Sequence, residues 1–199
     1  MTAPMDAAIA LIRREHDALA RVLRGLEEVT RELGERRIEP DFDLLAAMLY
    51  YIDQFPERCH HPREESTLFA RLRARTIEAN TLLDTLLEEH RRGTQLVTEL
   101  ALRLIRYQGG GHAELAQFAG AVSSYVAFNW AHMRAEEEDL LPIAQRALDD
   151  DDWTAIEAAF RDNDDPIFGR SQDPRYSRVY SRIVNLAPRR VRVSMRSAE

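Results

Sequence analysis

The chain has 199 residues and a formal charge of −7, with 45% apolar and 31% charged residues, which suits one domain with an appendage and excludes a wholly disordered or collagen-like chain. Its one cysteine, Cys59, excludes an intramolecular disulfide and any Cys-based zinc or iron–sulfur site, and favours a reducing, cytoplasmic setting. No apolar run approaches the roughly 18 residues of a membrane span, and the Met1–Ile9 stretch does not read as a signal peptide.

The apolar spacing is helical through the first 150 residues. The first helix is expected from Asp6 to Leu33, with a stripe of Ile9, Ile12, His16, Leu19, Leu23, Leu26, Thr30 and Leu33 in steps of three and four. Gly34 is its stop. The second starts near Pro40–Asp41 and reads Leu45, Leu49, Ile52, Pro56, His60, Glu64, Leu68. Pro56 and Pro62 each remove an intrahelical hydrogen bond, so a kink or short break is expected there. The third runs from Ile77 to Tyr107, with Leu83, Leu86, His90, Thr94, Val97, Ala101 and Leu104 on its stripe, and ends at Gly109–Gly110–Gly111. The fourth runs from Ala113 to Leu148, with Phe118, Val122, Tyr125, Asn129, His132, Glu136 and Leu140 on its stripe. Asp149 to Asp152 read as an acidic turn, followed by a short fifth helix over Trp153–Phe160. Four long amphipathic helices with short links predict an all-α, up-down-up-down four-helix bundle over residues 1–149, with residues 150–199 as a C-terminal extension.

That extension is basic. Residues 170–199 hold eight arginines against Asp173 and Glu199, a net +6 that leaves −13 for the rest. Its Tyr176, Tyr180, Ile183, Val184 and Leu186 favour docking onto the acidic body over a nucleic-acid arm. Self-association through Phe160, Ile167, Phe168, Tyr176 and Tyr180 is a further expectation.

Each of the four long helices carries a histidine in its apolar run. At 1.5 Å per residue, and with the second and fourth helices running back down, His16, His60, His90 and His132 fall at heights of roughly 15, 14, 19 and 13 Å. Independent core histidines have no reason to share one slab; a metal site within a bundle requires it. A glutamate follows His60 and His132 by four residues, Glu64 and Glu136, on the same helical face. As charges facing a core they are costly unless a cation neutralises them. Imidazole plus carboxylate suits iron, manganese or zinc, and so many donors exceed one four-coordinate zinc. Two carboxylate-bridged metals fit better.

The segments Glu15–His16–Asp17, HHPREESTLF at 60–69, EEH at 88–90 and HMRAEEEDLLP at 132–142, in order and at helical spacing, resemble the hemerythrin-like, HHE cation-binding family over residues 6–148. The resemblance implies a four-helix bundle holding a non-haem di-iron centre, oxo- or hydroxo-bridged, with manganese or zinc as substitutes. It implies His16, His60, His90 and His132 as terminal ligands, and Glu64 and Glu136 as bridges. Oxygen-carrying hemerythrins have a second histidine one turn from the helix-3 ligand; here Leu86 and Thr94 flank His90 at that spacing. His61 is a candidate further ligand, an N-cap or a surface residue, with Glu65 and Glu137 as alternates. A thinner histidine shell shifts the expectation from reversible oxygen carriage to sensing, redox chemistry or iron handling.

Tyr125 reads as core filling, with a hydrogen bond toward the site as the alternative. Cys59 reads as a buried thiol and His112 as a surface residue. Three functions stand beside one another: binding of dioxygen, nitric oxide or iron; a redox enzyme acting on peroxide, nitrosative damage or iron; and a structural metal clamp. No nucleophile–base arrangement or phosphate loop appears, and catalysis is left open.

Overall fold

The computed structural model describes residues 3–161; the basic tail and the apolar residues after position 161 lie outside the described residues. These residues form helices and short connections, with no strand among them. We number five helical rods: α1 (Ala3–Gly34), α2 (42–75), α3 (Asn80–Gly110), α4 (112–147) and α5 (Asp150–Arg161). α1 packs on α2 and α4, and α3 packs on α2 and α4, so the four long rods enclose a common interior. α5 lies along α1.

Local chemistry sets the ends. Asp41 caps α2, its Oδ1 accepting from the Leu44 N–H at 3.0 Å. α3 begins at Asn80 and not at Ile77, which is left in the preceding turn at 86% exposure. It persists through Gly109 and Gly110, and Gly111 alone reverses the chain with φ +67° and ψ −156°, a conformation closed to a residue with Cβ. The four aspartates before Trp153 do not form a separate turn. Asp150, Asp151 and Asp152 are the first turn of α5, where carboxylates complement the positive end of the helix dipole. Asp149 and Asp152 accept from one another's backbone N–H, at 3.0 and 3.3 Å.

The prolines do not break α2. Pro56 lies inside a π-helical stretch, Asp53–His60, and helical backbone continues through Pro62. A second such stretch covers Glu65–Phe69, and α4 has one at Ala135–Leu140, with Pro142 just beyond. At two of these, the N–H immediately before a proline reaches back five residues: His61 to the Pro56 carbonyl and Leu141 to the Glu136 carbonyl. The wider turn makes room for the proline ring, which would strike the carbonyl four residues back in a regular helix. It also shifts the phase of each helix where His60, His61, Glu64 and Glu136 sit.

The apolar interior comes in two blocks. One gathers Leu19–Leu33 of α1, Leu44–Phe55 of α2, Val97–Tyr107 of α3 and Leu115–Met133 of α4. The other gathers Met5–Ile12, Leu68–Leu72, Leu83, Leu86 and Leu140–Leu148 with Trp153, Ile156 and Phe160 of α5. On α1, α2 and α3 the histidines fall between the two blocks, and on α4 His132 sits at the edge of the first, beside Met133, with Glu136 between the blocks. The interior is therefore a polar layer held between two hydrophobic ones.

Candidate metal centre

All seven residues singled out for metal binding lie in that layer: His16, His60, His61, Glu64, His90, His132 and Glu136 are each 5% exposed or less. Two groups of donor atoms are close enough to hold an ion: His16, His60, Glu64 and Glu136 in one, His61, His90 and His132 in the other, with the atoms of each within 4.8 Å of one another. His61 does not cap a helix or face solvent. Its ring stacks on that of His90, with centroids 4.1 Å apart and planes 9° from parallel. The wide turn closing at His61 is what allows two consecutive residues, which lie 100° apart on a regular helix, both to reach the interior.

Four imidazoles share one arrangement. His16 Nδ1 lies 2.8 Å from Glu137, His60 Nδ1 2.7 Å from Glu15, His90 Nδ1 2.8 Å from Glu65 and His132 Nδ1 2.8 Å from Glu89. A carboxylate only accepts, so each Nδ1 carries the hydrogen, and in the neutral ring Nε2 keeps its lone pair. These pairs run in a closed circuit. α1 supplies Glu15 to His60 on α2, α2 supplies Glu65 to His90 on α3, α3 supplies Glu89 to His132 on α4, and α4 supplies Glu137 to His16 on α1. Glu65 and Glu137 thus grip the outer edges of imidazoles and do not reach the inner donors. This circuit fixes each ring's orientation and raises its basicity toward whatever Nε2 meets.

The inner atoms are left without partners. The Nε2 atoms of His16, His90 and His132 and all four carboxylate oxygens of Glu64 and Glu136 are buried with no hydrogen bond, as is Nδ1 of His61, which faces Glu57 instead. They face each other at 3.3 Å (His16–Glu136), 3.4 Å (His60–Glu64), 3.3 Å (His132–Glu136) and 3.7 Å (His90 to each glutamate). Two donors bound at right angles to one ion, each about 2.1 Å from it, lie about 3.0 Å apart. The spacing is close to that of a coordination shell, and so is the donor set: imidazole and carboxylate, with no thiolate.

The electrostatics agree. Burial drives Glu64 well above the usual carboxylate range, and the facing Glu136 adds to it. Burial would do the same to Glu136, but His132, His16 and His90 hold it well below that range. Burial lowers the His16 and His132 pKa values, yet the surrounding glutamates outweigh it and carry them up to about 9 and about 10. Burial prevails at His60 and His61, which are held below the ordinary value. Glu64 and Glu136 cannot comfortably both be ionised without added positive charge, and a cation between them supplies it.

Several contributors are not evident from the apolar stripes. Glu15 and Glu89 fall just off them, and so does Glu57. Glu57 Oε2 lies 3.5 Å from His61 Nδ1, and its carboxylate accepts from Thr94 at 3.0 Å and from Tyr125 at 3.2 Å. Burial raises its pKa, opposed by those two hydrogen bonds. Tyr125 is therefore core-packed and also hydrogen-bonded toward the site. The available signal was the doublet: Glu15–His16, Glu64–Glu65, Glu89–His90 and Glu136–Glu137 each set an inner donor beside an outer carboxylate. Cys59 is half-buried, its thiol donating to the Gln54 carbonyl at 3.4 Å. His112 is exposed in the first turn of α4.

An all-helical protein whose rods converge on a buried His/Glu layer defines a metal-binding class. The chain belongs to the hemerythrin family: the profile of the Hemerythrin HHE cation binding domain matches residues 7–144. Searches of curated proteins and of solved structures gave no match. Among the described residues no helix is long and apolar enough to cross a membrane.

Proposed function

We propose that this is a cytoplasmic non-haem di-iron protein, an up-down-up-down four-helix bundle whose centre binds a small ligand such as dioxygen or nitric oxide, or handles iron itself. The observation that carries the reading is the set of orphaned inward donors. Leaving them unmet in an apolar interior costs on the order of 1–3 kcal/mol each, more for charged groups, unless a cation takes them up. His16 and His60 would hold one ion, and His61, His90 and His132 the other, with Glu64 and Glu136 available to both; manganese or zinc would fit the same donors. Bound iron supplies one-electron redox chemistry and a Lewis-acidic position for a diatomic ligand or peroxide. The protein's part is to aim the imidazoles, exclude bulk water and keep Nδ1 of His16, His60, His90 and His132 occupied. An octahedral ion takes about six donors. The protein offers four donors from one set and five from the other, each counting both glutamates, fewer than that number, which favours a ligand-binding or redox role over a saturated structural clamp.

Metal analysis of protein purified from its own host, followed by anaerobic reduction and admission of air, tests this. Two irons per chain and new charge-transfer absorption are expected. A reversible oxygenated species supports ligand binding, and prompt irreversible oxidation with peroxide turnover supports a redox enzyme. Spectra indifferent to dioxygen, peroxide and nitric oxide would sink both. His132→Ala should lose much of the iron and His112→Ala none; equal iron content in the two would refute the ligand assignment.

A further inference from the structure

Four of the five histidines in the buried layer are gripped at Nδ1 by a carboxylate from a neighbouring helix; His61 is the exception. The group facing its Nδ1 is Glu57, four residues earlier on α2 and 3.5 Å away. Two neighbouring helices shape the space that Glu57 occupies. The hydroxyl of Thr94 on α3 donates to Oε2, and that of Tyr125 on α4 donates to Oε1. Gly93 on α3 leaves the remaining room: a Cβ there would stand 2.9 Å from Oε1 and 3.2 Å from Oε2. The Glu57 side chain is 2% exposed, so water does not replace these donors. Two hydroxyls leave part of the carboxylate's acceptor capacity unused, and an N–H that needs an acceptor lies on that side. At 3.5 Å the pair is just outside hydrogen-bonding range, and a shift of about half an ångström brings it within.

We propose that Glu57, seated by Thr94, Tyr125 and the bare backbone of Gly93, is the positioning carboxylate of His61 and sets the metal affinity of the His61–His90–His132 half of the centre. This rests on the ligand set proposed above. It completes the pattern in which every imidazole has an outer carboxylate, with one difference. The other four are fixed from across a helix interface, whereas His61 is aimed from its own helix through a carboxylate that α3 and α4 hold in place.

The test is anaerobic titration of the metal-free, full-length protein with Co(II) alone, followed by its visible absorption and by competition with a chelator. The unsubstituted protein should take two equivalents. Glu57→Ala should weaken one of them by about 10- to 100-fold and leave the other within about twofold. Gly93→Ala, which displaces the carboxylate while favouring the helix that carries it, should weaken the same equivalent, so the loss is not one of folding. In a His61→Ala background, Glu57→Ala should cost nothing further. The proposal is overturned if Glu57→Ala costs as much without His61 as with it, or if the Glu57 and Gly93 variants both titrate like the unsubstituted protein. Failure of the unsubstituted protein to take a second equivalent would remove the ligand set and this proposal together.

Discussion

Glu15→Gln isolates one link of the outer circuit. The Glu15 side chain is 1% exposed, and one oxygen lies 2.7 Å from His60 Nδ1 while Arg63 donates to both oxygens at 3.2 and 3.5 Å. Arg63, itself 15% exposed, lies over the Phe160 ring with its Cζ 5.3 Å from the centroid. No water can stand in for the lost charge, and an amide is a weaker acceptor than a carboxylate. The expected loss in metal affinity is about 10- to 100-fold, or about 1.4–2.8 kcal/mol. Glu137→Gln is the comparison. Its partner distance to His16 is nearly the same, 2.8 Å, but its side chain is 33% exposed and the Arg13 beside it 56%. Solvent can replace that acceptor and screens that ion pair, so its loss should be the smaller. Chelator competition with Co(II), read for both variants in one buffer, measures the contrast. Equal affinities for Glu15→Gln and the unsubstituted protein would refute the claim that the outer carboxylate governs the inner donor.

Two further outcomes concern stability. Phe160 is fully buried where α5 meets α1, 5.9 Å from the His60 ring. Phe160→Ala should cost about 3–5 kcal/mol in urea unfolding, and a change below 1 kcal/mol would mean that α5 is not part of the cooperative core. Asp152 is the second. Burial raises its carboxyl pKa, but Arg75, the Asp149 backbone N–H and Arg71 together hold it below the ordinary 3.8. A carboxyl lowered by folding stabilises the protein above its unfolded pKa, and that contribution fades as pH falls through the folded value. Asp152→Asn should therefore destabilise the fold at pH 7 by about the 1 kcal/mol of a helix-cap bond, read as a lower Tm, with the gap closing by about pH 2. A gap independent of pH would assign the effect to shape and not to charge.

The sequence by itself determined the helices and the level of the histidines. A 3.6-residue apolar period and a rise of 1.5 Å per residue are properties of the local backbone, so the stripe and the height of His16, His60, His90 and His132 could be read without a fold. The Glu64 and Glu136 positions follow for the same reason, one turn from a histidine on the same face. Two things needed tertiary structure. The phase of α2 near His61 depends on wide turns that relieve proline clashes, and no apolar period announces them, so whether His61 faced inward was open in the sequence. The Nδ1 partners are supplied by neighbouring helices at separations of 45, 25, 43 and 121 residues, and Glu57 acquires its seat only where Gly93, Thr94 and Tyr125 converge. Residues one step off a helical stripe read as solvent-facing until another helix is placed beside them. The packing of rod against rod turns those flanking glutamates into the outer ring of the site.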